Sequence, residues 1–302
     1  MAYVIETENL CKQYKETMAV SGVNMHVQKG DIYGFIGRNG AGKSTTLKML
    51  NGLIYPSAGK IRLFGEERNQ YSGRRIGALI ENAGLYPHLS AYANMNLKAT
   101  AMGLHQPDEI IALLSLVKLD FKSRKPVKKF SLGMKQRLGI AMALLGQPDL
   151  LILDEPINGL DPEGIREIRE IITTLNEQRG MTIIISSHIL GELSKVATRY
   201  GIIRAGELVE EISADDLDRK CRSYLSLVVD DPKRALVILE SQVDIQDYQV
   251  IDSHEIWIYD ELDSAQVNAW LVSSQVQVSQ LYYQKQDLES YFLEKIGGTS
   301  NA

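Results

Sequence analysis

The sequence predicts an α/β protein: a largely parallel sheet carrying a helical insertion, followed by a small α+β appendage. Between Tyr3 and about Arg204, short β-branched runs alternate with longer helical patterns, as in a sheet whose strands are joined by crossover helices. Between Tyr92 and Leu145 no strand pattern intervenes. Around Ser213 to Arg222 the chain turns charged, SADDLDRKCR, and its pattern changes. These observations divide the chain into residues 1–218, with a helical subdomain at about 88–145, and residues 219–302.

The strands of the first part are expected at Val4 to Glu8, Ile32 to Ile36, Lys60 to Phe64, Ile76 to Ile80, Leu150 to Leu153, Thr182 to Ile185 and Tyr200 to Ile203. Each is a short apolar or alternating run bounded by turn residues. The inserted helices are read from the apolar spacing of YANMNLKATAMGL, PDEIIALLSLV and MKQRLGIAMALL. In the appendage the pattern runs strand (Tyr224 to Val229), helix (Pro232 to Ser241), strand (Gln249 to Ile251), strand (Glu255 to Tyr259), helix (Ser264 to Ser273), strand (Gln275 to Gln280) and a last helix from Asp287. The order β-α-β-β-α-β is that of a ferredoxin-like unit, in which Trp257 and Trp270 read as core residues.

The bulk properties exclude several classes. At 302 residues the chain can bury a large core. A net charge of -5 argues against a dedicated nucleic-acid binder. Cys11 and Cys221 show no C-x-x-C or Cys/His spacing, which fits a reducing compartment and no zinc site. No run approaches the eighteen or so apolar residues of a spanning helix, and the start, MAYVIETENLCKQY, lacks a signal-peptide profile. A membrane role is therefore expected to come through a partner.

Residues Gly37 to Ser44 read G-R-N-G-A-G-K-S, a full G-x-x-x-x-G-K-[ST] loop set between an apolar strand and a helix. The glycines allow backbone angles that let successive N–H groups of Gly37, Arg38, Asn39, Gly40, Ala41 and Gly42 surround phosphates. Lys43 reaches the β- and γ-phosphates, Ser44 offers its hydroxyl to Mg²⁺, and Thr45 opens the following helix. Downstream, Leu150 to Pro156 reads L-L-I-L-D-E-P, a buried strand closing on two carboxylates, where a charged pair needs a reason to exist. Asp154 suits the Mg²⁺ shell and Glu155 suits the water that attacks the γ-phosphate.

With these two motifs in place, the segment from about residue 3 to 215 resembles the ATP-binding subunit of an ABC transporter, a P-loop NTPase domain with a helical insertion. Five further segments carry the resemblance. Tyr14 in KQYKET matches the aromatic that stacks on adenine. Phe130 to Arg137, F-S-L-G-M-K-Q-R, is similar to the signature usually written L-S-G-G-Q. Gly159, Leu160 and Asp161 match the loop after the second carboxylate. His188, after Ser186 and Ser187, matches the switch histidine. Ile80 to Leu89, I-E-N-A-G-L-Y-P-H-L, aligns with a loop that usually carries glutamine.

The resemblance implies ATP and Mg²⁺ as ligands and a split site, in which Ser131, Gly133 and the helix that follows cap the γ-phosphate bound to a second copy. One loop and one signature per chain then imply a head-to-tail homodimer around two ATP molecules. The signature departs from the family at Leu132, Met134 and Lys135, and the coupling loop departs at Glu81, where a carboxylate replaces the amide as a candidate Mg²⁺ ligand. Glu81 and the neighbouring GLYPHLSAY resemble the bacitracin-resistance and lantibiotic-immunity branch.

The implied function is an ATPase subunit on the inner face of the cell membrane, driving a separate permease that exports a peptide-like or lipid-active antimicrobial compound. The coupling surface is expected near Glu81 to Tyr92, with Tyr86, Pro87 and Tyr92 forming the socket. Two alternatives stand beside it. A soluble ATPase acting on ribosomes or DNA would usually carry two ATPase units or a long coiled-coil insertion, and neither is present. A non-hydrolysing nucleotide-gated module would not need Lys43, Asp154, Glu155 and His188 together. No nucleic acid is expected as a partner.

Overall fold

The computed structural model describes residues 3–69, 71–284 and 288–297. Contacts divide the chain into two units, Met1–Ala214 with Phe292–Ala302, and Asp215–Tyr291. The first runs β1 (Tyr3–Tyr14), β2 (Thr17–Val23), β3 (His26–Gln28), β4 (Ile32–Ile36), α1 (Lys43–Asn51), β5 (Ala58–Leu63), β6 (Glu66–Glu67), β7 (Ile76–Leu79), α2 (Ala91–Ala101), α3 (Pro107–Leu116), α4 (Leu132–Ala143), β8 (Leu150–Asp154), α5 (Pro162–Arg179), β9 (Thr182–Ser187), α6 (Leu190–Leu193), β10 (Arg199–Arg204) and β11 (Glu207–Ser213).

Two sheets result, where a single largely parallel one was expected. Strands β4, β7, β8, β9 and β10 are parallel, in the order β10-β4-β9-β8-β7, and β11 adds antiparallel at the β10 edge. The predicted strands at Val4 and Lys60 instead belong to a separate antiparallel sheet of order β2-β1-β5-β6, with β3 also on β1. The physical reason is connection length. β1 turns directly into β2 through Lys15 and Glu16, with Lys15 at φ 50°, and so short a link permits only antiparallel pairing. Strand β1 also runs six residues past the predicted end at Glu8. Asn9 adopts φ 47° and the ladder to β5 slips between Glu8 and Cys11, so pairing resumes beyond a bulge-like break.

Every residue of β4, β8 and β9 is buried, and a core of Phe35, Leu47, Met49, Leu50, Ile152 and Ile184 ties α1 to these strands. Helices α2, α3 and α4 form the insertion. Ser90 caps α2, accepting from Ala93 N–H at 3.3 Å, and Ser131 caps α4, accepting from Met134 N–H at 3.2 Å. Arg137 of α4 is buried, donates to the carbonyls of Val117 and Lys118 at 2.9 Å each, and faces Glu167 of α5 at 3.3 Å. This side chain therefore satisfies the open C-terminus of α3 while tethering α4 to α5.

The second unit holds most of α7 (Ala214–Lys220), then β12 (Tyr224–Val229), α8 (Pro232–Gln242), β13 (Tyr248–Val250), β14 (Glu255–Ile258), α9 (Ser264–Ser273), β15 (Val278–Gln284) and the start of α10 (Leu288–Gly297). Its sheet order is β13-β14-β12-β15, antiparallel throughout. The last strand starts three residues later than predicted because Gln275 adopts φ 61° at the end of α9. Asp287, the predicted start of the final helix, lies outside the described residues. Among the described residues no helix is long and apolar enough to cross a membrane.

Candidate functional site

The phosphate loop follows β4, the carboxylate pair follows β8 and the histidine follows β9. Because β4, β9 and β8 are adjacent and parallel, their C-terminal ends share one edge, where ligands of open α/β sheets bind. Phe35 and Asp154 are both opposite Ser186 in the ladder, so the register sets the three segments at one level.

Within the loop, Gly37 is buried while Arg38, Asn39 and Gly40 are exposed. A Cβ at Gly37 would approach the Ile203 carbonyl to 2.5 Å, and Gly42 adopts φ 107° as it caps α1, so neither position accepts a side chain. Ala41 is buried, and Ser44 and Thr45 sit half-buried in the first turn of α1. The Lys43 side chain is only 5% exposed and folds back, donating to the carbonyls of Gly37 at 2.7 Å and Arg38 at 3.3 Å. Its ammonium also lies 3.1 Å from Glu155 Oε1, an oxygen shut off from solvent with that ion pair as its polar contact.

Glu155 leaves β8 with φ 49°, a left-handed conformation uncommon for a non-glycine residue. Its N–H donates to Ser186 Oγ at 2.9 Å and to the Ser186 carbonyl at 3.2 Å. The carboxylate stands between two partners, the Lys43 ammonium on Oε1 and His188 Nδ1 at 2.8 Å from Oε2. Asp154 is 8% exposed and its Oδ1 accepts from Ser186 Oγ at 2.5 Å. Ser186 therefore orients both carboxylate residues, a role the sequence reading left unassigned. Ser186→Ala is expected to lower ATPase kcat/KM by about tenfold and stability by about 1–3 kcal/mol, through an unsatisfied buried carboxylate. Steady-state phosphate release and urea unfolding measure the two.

Glu81 also adopts a left-handed conformation, φ 63°. It pairs with Lys48, Nζ to Oε1 at 2.5 Å, one turn beyond Ser44 on α1. That bond raises the Lys48 pKa above its usual value, with the field of Glu81, Tyr14 and Asp154 adding to it. Lys48 is the second residue that sequence reasoning missed, although its i+4 spacing from Ser44 was available as a signal. Tyr14 ends β1, 46% exposed, with the Lys12 ammonium 5.2 Å from its ring centre.

Among the described residues no hydrogen bond joins Ser131 or Gly133 to Lys43, Asp154, Glu155 or His188. Ser131 caps α4, its oxygen taken by Met134 N–H and its O–H available to donate. At Gly133 an added Cβ would find only Leu160 and Gly164, at 3.8 and 3.9 Å, so nothing among the described residues requires glycine there. Leu132 lies against the loop that follows Glu155, its Cδ2 3.3 Å from where a Gly159 Cβ would stand.

The buried lysine of a phosphate loop, a strand-end Asp-Glu pair and a histidine on the glutamate define an ATPase of the ATP-binding cassette class. The family described as "ABC transporter" matches residues 20–158. The chain is 44% identical to the bacitracin transport ATP-binding protein BcrA of Bacillus licheniformis, over 99% of both chains. It is 47% identical to the lantibiotic transport ATP-binding protein SrtF of Streptococcus pyogenes, over 70% of this chain and 92% of that one. The solved structure of cbiO1 from Clostridium perfringens, part of the ABC transporter complex cbiONQ, is 28% identical, with TM-score 0.65 over 73% of this chain and 92% of that one. The chain belongs to the ABC transporter family, as an ATP-binding, ATP-hydrolysing subunit.

Proposed function

We propose that two copies of this chain close head to tail over two ATP molecules and drive a separate permease that exports a peptide-like or lipid-active antimicrobial compound. The observation that carries the ATPase half is the convergence of Lys43, Asp154, Glu155 and His188 at the ends of three adjacent strands. The open space beside Gly133 and the Ser131 O–H left to donate support their service to the site of a second copy. The relatives named for bacitracin and lantibiotic transport support the class of cargo.

The geometry supports the following order of events. Lys43 holds Oε1 of Glu155, and a triphosphate seated in the loop competes for the same ammonium. Its engagement releases Oε1 to accept a proton from the attacking water, while His188 keeps Oε2 oriented and stands ready beside the γ-phosphate. The Ser44 hydroxyl and the Asp154 carboxylate form a hard oxygen donor set suited to Mg²⁺. Bound there, the ion would neutralise charge developing on the β- and γ-phosphates. The N–H groups of 38–42 and the start of α1 hold the phosphates, and Tyr14 at the exposed end of β1 takes the adenine.

Lys48 holds Glu81 Oε1, so this oxygen is free to serve the metal once that pair opens. Lys48→Met is therefore expected to lower the Mg²⁺ concentration that half-saturates hydrolysis by about two- to fivefold, the range of an exposed ion pair. A metal titration of the ATPase rate measures it.

The subunit works at the inner face of the membrane by docking to its permease. Tyr86, 56% exposed on a loop tied by its N–H to Asn94 Oδ1 at 2.7 Å, supplies part of the contact. In a host lacking its own copy, the wild-type chain restores growth in bacitracin or a lantibiotic, and Glu155→Gln does not. Equal susceptibility of the deleted and restored strains to both would remove these compounds as cargo.

A further inference from the structure

The second unit presents an aromatic platform built around one carboxylate. Its core side is made by Leu225, Leu227 and Val229 with Ile256 and Ile258, packed with residues of α8 and α9. The pleat sends alternate residues to the other face. Ser226 is opposite Trp257 on one side and Tyr282 on the other, which gathers Tyr224, Trp257, Tyr259 and Tyr282 on that face. Trp257 is thus not the core residue expected from the sequence, whereas Trp270 does pack against the core. Tyr282 is 44% exposed and the other three rings are half-buried.

The rings of Tyr224 and Trp257 stack at 4.3 Å between centres, and Tyr259 tilts against Tyr224 at 5.8 Å. Beside them Glu255 Oε1 accepts from Ser226 Oγ at 2.8 Å and from Trp257 Nε1 at 2.7 Å. Oε2 has no hydrogen-bond or ion-pair partner among the described residues. The neighbours are mutually close: burial, then Tyr282, Glu255 and Tyr259, raise the Tyr224 phenol above its usual pKa.

Charge selects the occupant. Residues 215–291 hold fifteen aspartates and glutamates against six lysines and arginines, so a phosphate backbone meets repulsion while a cation is attracted. One cation already uses this chemistry within the unit: the Arg222 guanidinium lies 5.7 Å from the Tyr259 ring centre and pairs with Asp247 at 2.5 Å. Asp247 pairs with it, and no cation among the described residues pairs with Glu255. A sheet face with an open carboxylate oxygen among ring faces suits a planar guanidinium carried on a peptide, which stacks on a ring while it donates to Oε2.

We propose that this face is a docking surface for an arginine-bearing peptide segment, whose guanidinium pairs with Glu255 and stacks on the surrounding rings. The proposal does not depend on the cargo or on the ATPase reading.

The test uses the full chain with Trp270→Phe, which leaves Trp257 as its one tryptophan, titrated with tetra-arginine amide. The expected result is a saturable change in Trp257 emission, weakened about tenfold by Glu255→Gln or by Tyr282→Ala and reduced by salt. Tyr282 is exposed, so its truncation leaves the fold and the basal ATPase rate unchanged; calorimetric titration of the chain retaining Trp270 repeats the measurement without the reporter change. No saturable binding up to about 1 mM, equal affinity in both variants, or tighter binding of oligothymidine than of the peptide would each overturn the proposal.

Discussion

Glu155→Gln lowers ATP hydrolysis by about 10² to 10⁴-fold, the typical worth of a general base, while ATP binding persists. The substitution keeps the shape of the side chain and removes its basicity. The backbone bonds from Glu155 N–H to Ser186 do not involve the carboxylate, so the left-handed turn survives. The His188 contact survives as a hydrogen bond to the amide. The Lys43 ammonium loses its counter-charge and becomes more available to the triphosphate, so ATP affinity holds or rises. Single-turnover hydrolysis beside equilibrium nucleotide binding separates the two effects. A wild-type rate in this variant would remove Glu155 from the role of base.

Lys43→Ala has the opposite signature: ATP affinity falls by about 10- to 150-fold, the range of a lost charged hydrogen bond. The side chain is almost fully buried and its contacts are the carbonyls of Gly37 and Arg38 and the Glu155 carboxylate. Truncation therefore leaves the loop carbonyls and Oε1 facing an empty space and puts an unneutralised carboxylate near the incoming phosphates. Measured by calorimetry with ATP, wild-type affinity would show that the ammonium serves loop structure alone.

Much of this arrangement is legible in the sequence because it rests on local rules. Glycines at 37, 40 and 42 and the run Ile32 to Ile36 announce a strand, loop and helix without tertiary information, and L-L-I-L-D-E-P shows a charged pair closing a buried strand. What escaped the sequence depends on pairing at a distance. Strand β11, ELVEEIS, is too charged to read as a strand and forms because it pairs along the β10 edge. Strand β2, TMAVSGV, has an apolar run of only three residues, Met18 to Val20, and its burial alternates irregularly.

The Lys48–Glu81 pair joins residues 33 apart, and its geometry comes from a left-handed turn just past the end of β7. The dual role of Ser186 needs the β8–β9 register, which no spacing within either segment records. Trp257 was misplaced for a simpler reason: in a sheet covered on one side, a one-residue change of parity moves a side chain from core to surface.

The central claim is a split site closed by ATP between two copies, and sedimentation of Glu155→Gln with and without Mg-ATP tests it most directly. The account predicts a monomer without nucleotide and a dimer with it, since the loop of each copy would then meet Ser131 and Gly133 of the other. A species that binds ATP and remains monomeric at every protein concentration would contradict it.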